Sequence, residues 1–567
     1  MSDPSESPVL QIEHLKIALP ANADRGLAVD DVGFSIPAGR TLCVVGESGS
    51  GKSVLAMAVM GLLARGLEVR SGRIVLTGQT LLEGERRLAE PQWRALRGSR
   101  IGMVFQEPTT ALNPVVSCGA QVDELLRAHT SWARSRRRTR VLEMFAQVRL
   151  PDPEHLYDTY PHQLSGGQRQ RVVIAMAMIL RPRLLICDEP TTALDVTTQA
   201  EILKLVARLQ AEEQSAVLFI THDMGVVAEI AHEILVMHDG RAVEQGRAEA
   251  VLRHPREAYT QMLLSSVPGL TPPPPREIPG ASDAPSLRAV SVGKTYAAQH
   301  RFIRRTSRPA LHGASLAIHP GETVGIVGES GSGKSTLARC LIRLIEPSLG
   351  DIYWGEAAVA RLGEAHLRAL RSRVQIVFQD PNRSLNPRRA VGKSLVEGAM
   401  NFGADSRDAQ ALAAELMDRV RLPRSALARF PHQFSGGQRQ RLAIARALAC
   451  RPSVLIADEA VSALDVSIQA QILDLFRALQ SELGVALLFI THDLRVAAQI
   501  CDRVIVMHEG SIIEEGLTSV LYRDPREPYT QRLLAAAPRL DARREAVLPS
   551  SEELPDRAPI GVPIARP

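Results

Sequence analysis

The chain is poor in lysine, in cysteine and in long apolar runs, and each shortage excludes something. Lysine occurs only at Lys16, Lys52, Lys204, Lys294, Lys334 and Lys393, although lysine and arginine together number 67 in 567 residues. The formal net charge of +5 permits association with an anionic membrane face or nucleic acid without demanding either. Six cysteines (Cys43, Cys118, Cys187, Cys340, Cys450 and Cys501) are scattered with no C-x-x-C pair. That spacing argues against a disulfide framework and a zinc site, and fits a reducing cytosolic compartment. No segment approaches the ~20 apolar residues that span a bilayer; the best is Val172 to Leu180. The opening MSDPSESPVL lacks both the basic and the apolar region of a secretion signal. Any membrane role is therefore expected to come from partners.

What is present is a repeat. GESGSGKS stands at Gly46, Glu47, Ser48, Gly49, Ser50, Gly51, Lys52 and Ser53, and again at Gly328, Glu329, Ser330, Gly331, Ser332, Gly333, Lys334 and Ser335. The pattern G-x-x-x-x-G-K-[ST] lets backbone N–H groups wrap a polyphosphate at a helix N-terminus. Lys52 and Lys334 are expected to reach the β- and γ-phosphates, and Ser53 and Ser335 an Mg2+ ion. Two of only six lysines fall in these loops, where a compact ammonium is not replaceable by a planar guanidinium.

A length of 567 residues predicts two domains of about 250 residues with connectors. The copies are not uniformly spaced. The two phosphate loops lie 282 residues apart, Gln106 and Gln379 lie 273 apart, and Ser165 and Ser435 lie 270 apart. From there the offset stays at 270 through Asp188 and Asp458, His222 and His492, and Pro255 and Pro525. The net length change thus falls between the phosphate loop and SGGQ, where an insertion is tolerated.

In the first copy the order reads as a strand from Thr41 to Val45, a helix from Lys52, a long mixed and mostly helical insertion and a helix opening at Ser165. A buried strand from Leu184 to Cys187, a helix from about Val196 and a strand from Ala216 to Thr221 follow. Alternating strands and helices predict an α/β domain with largely parallel strands. Asp188 and Glu189 then fall at a strand's C-terminal end, where such sheets place their chemistry. The basic run Arg134 to Arg140 is expected to be a solvated helix face. The segment from Ser265 to Pro285 holds four consecutive prolines and is expected to be a semi-rigid exposed linker. The proline-rich end past about Leu540 is expected to be a flexible tail.

SGGQRQR, then LLICDEP or VLIADEA, then ALDV, then ITHD, resembles the ATP-binding cassette ATPases over nearly the whole chain, twice. The resemblance implies two tandem cassette domains, each a P-loop α/β core of the RecA-like kind with an antiparallel β subdomain and a helical subdomain. The expected division is 1–270, a linker at 271–286, 287–540 and a tail at 541–567. It also implies ATP and Mg2+ as cofactors. Gln106 and Gln379 match the glutamine that contacts Mg2+ or water and couples to a membrane partner. Asp188 and Asp458 match the Mg2+-organising carboxylate, and Glu189 and Glu459 the general base for the attacking water. His222 and His492 match the switch histidine at the γ-phosphate. Ser165, Gly166, Gly167 and Gln168, and Ser435, Gly436, Gly437 and Gln438, match the signature, in which a serine caps a helix and glycines let amides approach an anion.

In that family the signature of one domain closes over ATP held by the other. Nucleotide on Lys52 is therefore expected to be capped by Ser435, and nucleotide on Lys334 by Ser165, with Asp195 and Asp465 at the interface. Two departures stand out. Tyr296 fits the aromatic that stacks on adenine, whereas the first half offers Leu19; loss of a π contact worth about 1 kcal/mol predicts weaker ATP binding there. Ala460 stands where the first half has Pro190, which is expected to alter the turn while leaving Glu459 in place.

Flanking phrases such as YPHQLSGGQRQRV, VFQDPNRSLNPR, HPREAYTQ and DPREPYTQ are similar to the peptide/nickel group of bacterial importers. Within it the chain resembles a fusion of two ATPase subunits for dipeptide, oligopeptide or glutathione uptake. Two transmembrane permease subunits, an extracytoplasmic solute-binding protein and a peripheral place on the cytoplasmic face of the inner membrane are implied. No cysteine-bearing extension follows the closing segment, so no iron–sulfur cluster is expected. A soluble double cassette acting on ribosomes would carry a long charged helical linker, and a DNA-repair cassette would carry zinc-binding cysteine pairs. Neither feature is present, and no nucleic-acid partner is expected.

Overall fold

Each half builds a parallel sheet from short aliphatic runs buried on both faces, the pattern such sheets require. In the first half Thr41–Val45, Leu184–Asp188 and Ala216–Ile220 are buried at every position; the strand at Leu184 extends one residue past its expected end. The structure, a computed structural model, describes residues 8–21, 23, 25–192, 194–278, 283–296, 309–462 and 464–540. The tail expected at 541–567 lies outside the described residues.

The first six-stranded sheet runs Arg241–Arg247, Glu233–His238, Thr41–Val45, Ala216–Ile220, Leu184–Asp188, Ile101–Val104. All neighbours are parallel except the edge pair Glu233–His238 and Arg241–Arg247. Packed on it is an antiparallel sheet in the order Leu27–Ile36, Leu10–Ala18, Glu68–Leu76, Gln79–Glu83, Arg86–Arg87. The second half repeats both, with Val374–Val377, Val454–Asp458, Ala486–Ile490, Thr323–Val327, Arg503–His508 and Ser511–Leu517 in its six-stranded sheet. The insertion is mixed, as expected, and carries strands of the antiparallel sheet as well as helices. Its helices, Cys118–His129, Arg134–Gln147 and Pro153–Asp158, pack against the helix Gly166–Met178 in one apolar cluster with the sheet.

Two expectations gain detail. The run Arg134 to Arg140 opens a helix and none of its residues is buried, as expected, but several of its arginines are ion-paired. Arg137 pairs with Asp123 at 2.8 Å, Arg138 with Glu154 at 3.1 Å and Arg140 with Glu143 at 3.6 Å. The described part of the linker is exposed or half-buried, as expected, and it is also tied to the second half. Arg276 forks onto Asp502 at 2.7 and 2.8 Å and donates to the Gly321 carbonyl, while the Gln499 amide donates to the carbonyls of Gly269 and Thr271. Pro272, Pro273, Pro274 and Pro275 line a cleft together with Arg477, Gln480 and Ile500 of the second half. Among the described residues, no helix is long and apolar enough to cross a membrane.

Candidate active sites at the sheet edges

Register brings the repeated motifs together. Val44 pairs with Ile220, Ile220 with Asp188, and Cys187 with Val104. Chain leaving these four adjacent strands at the same edge carries Gly46, His222, Glu189 and Gln106 respectively. Residues 33, 83 and 176 positions apart are thereby neighbours because their strands are.

The phosphate loop needs glycine in two senses. Gly46 (φ +147°) and Gly51 (φ +103°) lie in backbone conformations that side chains rarely adopt. A Cβ would also come within 2.1 Å of the Met237 carbonyl oxygen and 2.4 Å of the Ala28 carbonyl oxygen. Gly49 instead faces open space, leaving its amide approachable. The buried Lys52 ammonium donates to the carbonyls of Gly46 (2.7 Å) and Glu47 (2.8 Å), and Lys334 does the same with Gly328 and Glu329, both at 2.7 Å. Burial lowers both lysine pKa values, against the pull of the neighbouring carboxylates.

Behind each loop, Ser53 donates to Asp188 and Ser335 to Asp458, both at 3.1 Å. Burial raises both aspartates, outweighing the serine hydrogen bond. Glu189 and Glu459 take left-handed backbone (φ +47° and +49°), each held by its N–H on the carbonyl of Ile220 or Ile490 at 2.9 Å. The turn is therefore the same with Ala460 as with Pro190, contrary to the expectation that the substitution alters it.

The two glutamates have different surroundings. Glu189 accepts from Gln106 at 2.9 Å and Thr192 at 3.0 Å and meets His222 Nδ1 at 3.1 Å. Glu459 accepts from Gln379 at 2.8 Å and meets His492 Nδ1 at 3.6 Å, whereas Ser462, standing where Thr192 does, donates to the Glu459 backbone carbonyl. Burial works to raise both glutamates, but the histidine partner prevails and lowers them; burial works to lower both histidines, but the glutamate raises them.

The signature residues cap their own helices. Ser165 Oγ accepts from the Gln168 N–H at 3.2 Å while Gln168 Oε1 accepts from the Ser165 N–H at 3.0 Å, and Ser435 with Gln438 repeats this box. Gly167 and Gly437 are where these helices press on the next ones: a Cβ would lie 2.5 Å from Thr198 or 2.4 Å from Ile468. Gly166 has only Leu194 within reach of a Cβ, and Gly436 has nothing.

Those next helices cross to the other half. Asp465 accepts from the Ser48 N–H at 2.9 Å and its hydroxyl at 3.0 Å, and Asp195 accepts from the Ser330 N–H at 3.4 Å. Thr197 donates to Glu329 at 2.6 Å, and Ser467 to Glu47. Asp195 is divided, because it also caps its own helix through the Thr198 N–H at 2.9 Å, a duty Asp465 does not have. The second cleft is accordingly lined by Thr192 and Asp195 of one half with Lys334, Ser335, Glu459 and His492 of the other.

Tyr296 ends its strand at the register Leu19 occupies in the first half. Leu10–Ala18 and Leu287–Thr295 pair equivalently with both neighbours, Leu10 with Ile36 and Leu76, Leu287 with Ile318 and Trp354. Tyr296 is 45% exposed, with Lys294 Nζ 5.6 Å from its ring.

Sequence reasoning missed three groups. The repeated P-R-E-x-Y-T-Q phrases were read only as a subgroup mark, yet Tyr259 OH accepts from the Glu47 N–H and Tyr529 OH from the Glu329 N–H, both at 3.2 Å. Each ring lies 4.0 Å from a histidine ring, His238 or His508, and burial pushes each phenol up to about 12. Their exact 270-residue offset was the available signal. Arg25 reaches over the first phosphate loop to the Gly49 carbonyl and pairs with Asp239 at 3.1 Å; nothing in its sequence context marks it. The third group is Arg495 with Asp223, treated below.

Comparison with known proteins agrees with this geometry. The ABC transporter family profile matches residues 29–192 and 311–462, and the oligopeptide/dipeptide transporter C-terminal region profile matches 243–304 and 513–563. The glutathione import ATP-binding protein GsiA of Escherichia coli strain K12 is 44% identical over 569 residues, covering 95% of this chain and 90% of that protein. The same protein of Shigella boydii serotype 4 is similar to the same extent. Among solved structures, the dimeric post-hydrolysis ATP-binding cassette MJ0796 bound to ADP and Pi aligns at 30% identity, covering 41% of this chain and 98% of that one, with a TM-score of 0.38. With two phosphate loops, two carboxylate pairs and two SGGQ helices arranged across one interface, the chain belongs to the ABC transporter family, as a tandem ATP-binding and ATP-hydrolysing protein with the C-terminal regions of the oligopeptide/dipeptide type.

Proposed function

We propose that the chain energises an importer for small peptides or glutathione, working from the cytoplasmic face of the inner membrane on two separate permease subunits fed by an extracytoplasmic solute-binding protein. The observation that carries this reading is the cross-half bonding of Asp465 to Ser48 and Asp195 to Ser330, which makes closure of the two halves and completion of the two sites one event. Binding would draw the halves together and hydrolysis would release them, and the permeases would follow. The division into 1–270, 271–286, 287–540 and 541–567 fits this scheme.

In each site the loop amides and Lys52 or Lys334 would hold the phosphates. Ser53 with Asp188, and Ser335 with Asp458, are the oxygen donors suited to Mg2+, with Gln106 and Gln379 close by through Glu189 and Glu459. Among the described residues no cluster of three or more His, Cys, Asp or Glu could hold a metal, so phosphate oxygens are needed to complete the shell. When bound, the ion supplies charge neutralisation on the phosphates. Glu189 and Glu459, held ionised by their histidine partners, would orient water and take its proton. His222 and His492, facing those glutamates, would report the γ-phosphate to the rest of the chain. Ser435 would cap nucleotide on Lys52, and Ser165 nucleotide on Lys334.

Affinity purification of the full chain from membranes tests the importer reading. Co-isolation of two permeases is the expected result; co-sedimentation with ribosomes or DNA-stimulated hydrolysis would overturn it in favour of a soluble double cassette. Leu19→Tyr is expected to tighten ATP binding at the first site by roughly 5-fold, the equivalent of about 1 kcal/mol. ATP titration of the Lys334→Met background, where only the first site binds, measures it, and an unchanged affinity would discard the stacking role of this position.

A further inference from the structure

The two ITHD stretches differ at one position on the interface. Thr221-His222-Asp223-Met224-Gly225 in the first half corresponds to Thr491-His492-Asp493-Leu494-Arg495 in the second. Each aspartate caps its own short helix, Asp223 through the Gly225 N–H at 2.9 Å and Asp493 through the Arg495 N–H at 2.8 Å. The Arg495 side chain, only 11% exposed, then crosses the interface. Its Nη1 and Nη2 donate to the two Asp223 oxygens at 2.9 and 3.0 Å, while Nε and Nη2 donate to the two Asp493 oxygens at 3.1 and 2.9 Å. One guanidinium fork thus holds two carboxylates, one from each half.

The opposite position has room for nothing more. A Cβ on Gly225 would stand 2.6 Å from Arg495 Nη1 and 2.8 Å from Pro538 Cβ. The device is therefore one-sided by necessity. It is also joined to both sites, because Asp223 follows His222 and Asp493 follows His492, and these histidines face Glu189 at 3.1 Å and Glu459 at 3.6 Å. Burial works to raise the Asp223 carboxyl, but the Arg495 charge and hydrogen bonds hold it down to about 2, so the fork is ionic throughout the working pH range.

We propose that Arg495 is a positioning residue that couples the two ATP sites, resting on the assignment of His222 and His492 as switch residues. If one switch loop moves alone, a buried carboxylate or half of the guanidinium loses its partner, which is strongly unfavourable. If both move together, the fork travels intact. The state of one histidine therefore biases the other, and by linkage the bias is mutual.

The test uses the full chain and compares the cost of a one-site lesion with and without the fork. In the wild-type background, Glu189→Gln is expected to reduce total hydrolysis by about 10-fold or more, because the intact second site is held back. In the Arg495→Met background the same lesion is expected to cost only about 2-fold, and the Hill coefficient for ATP is expected to fall towards about 1. Asp223→Asn keeps the helix cap but removes one charge, and is expected to shift both readouts in the same direction if Arg495→Met fails to fold. Arg495→Lys, a point charge without a fork, is not expected to restore coupling. An equal lesion cost and an unchanged Hill coefficient in the Arg495 and Asp223 variants would overturn the proposal. Hydrolysis persisting in Glu189→Gln/Glu459→Gln would instead overturn the site assignment beneath it.

Discussion

Replacing Glu189 and Glu459 together by glutamine is expected to lower steady-state ATP hydrolysis by about 10²- to 10⁴-fold, the range a positioned general base contributes, with ATP binding preserved. The shape of the side chain is kept, and a glutamine carbonyl can still accept from Gln106 or Gln379, which now donate at 2.9 and 2.8 Å. What is lost is the carboxylate that takes water's proton. Binding is expected to survive because the loop amides and Lys52 and Lys334, proposed to hold the phosphates, are not altered. Single-turnover and steady-state assays with parallel nucleotide-binding measurements separate the two effects. Turnover near the wild-type rate in the double variant would disprove the base assignment. Loss of binding together with turnover would show that the glutamates are structural.

Two lesions placed in one composite site are expected to spare the other, and the same lesions placed in different sites to destroy both. In a Glu189→Gln/Glu459→Gln background that retains nucleotide, Lys52→Met with Ser435→Arg is expected to leave one ATP held per chain, on Lys334. Lys52→Met with Ser165→Arg is expected to leave none held tightly, because the first change removes phosphate binding at one site and the second the cap of the other. Loss of an anion-directed donor set of this kind costs about 10²-fold or more. The reason to expect this pairing is mechanical. Gly167 and Gly437 lock the SGGQ helices onto the helices that begin at Asp195 and Asp465, and those aspartates reach the Ser330 and Ser48 amides of the opposite half. Counting trapped nucleotide per chain decides the matter. Equal occupancy in the two variants would mean that each site is built within one half.

Much of this was legible because the repeat gave every motif a duplicate. The strands at Thr41 and Leu184, the helices at Lys52, Ser165 and Val196, and the capping by Ser165 follow from local pattern, and local pattern is what sequence carries. The turn at Ala460 was misread for an equally local reason: proline suggested a special bend, whereas the bend is set by the Glu459 N–H on the Ile490 carbonyl, which any residue at 460 permits. The linker was read from its prolines alone, and its docking was missed because Asp502, Gln499 and Gly321 lie far along the chain. Tyr259 and Tyr529 escaped notice as site residues for the same reason.

The doubled glycine loops, helix caps and buried apolar runs were legible in the sequence because they act over short stretches of chain, and the roles expected of Asp188, Glu189, Ser165, His222 and their second-half counterparts came from the resemblance to ATP-binding cassettes. Only the tertiary structure decided how the two sites differ. The divided duty of Asp195, which also reaches Ser330, and the single Arg495 that reaches Asp223 arise where residues 135 and 272 positions apart meet across the interface, whereas the Thr192 hydroxyl on Glu189 is a contact within one turn. Near-identical motifs cannot announce which copy of a group will reach a neighbour first; packing across the interface settles it.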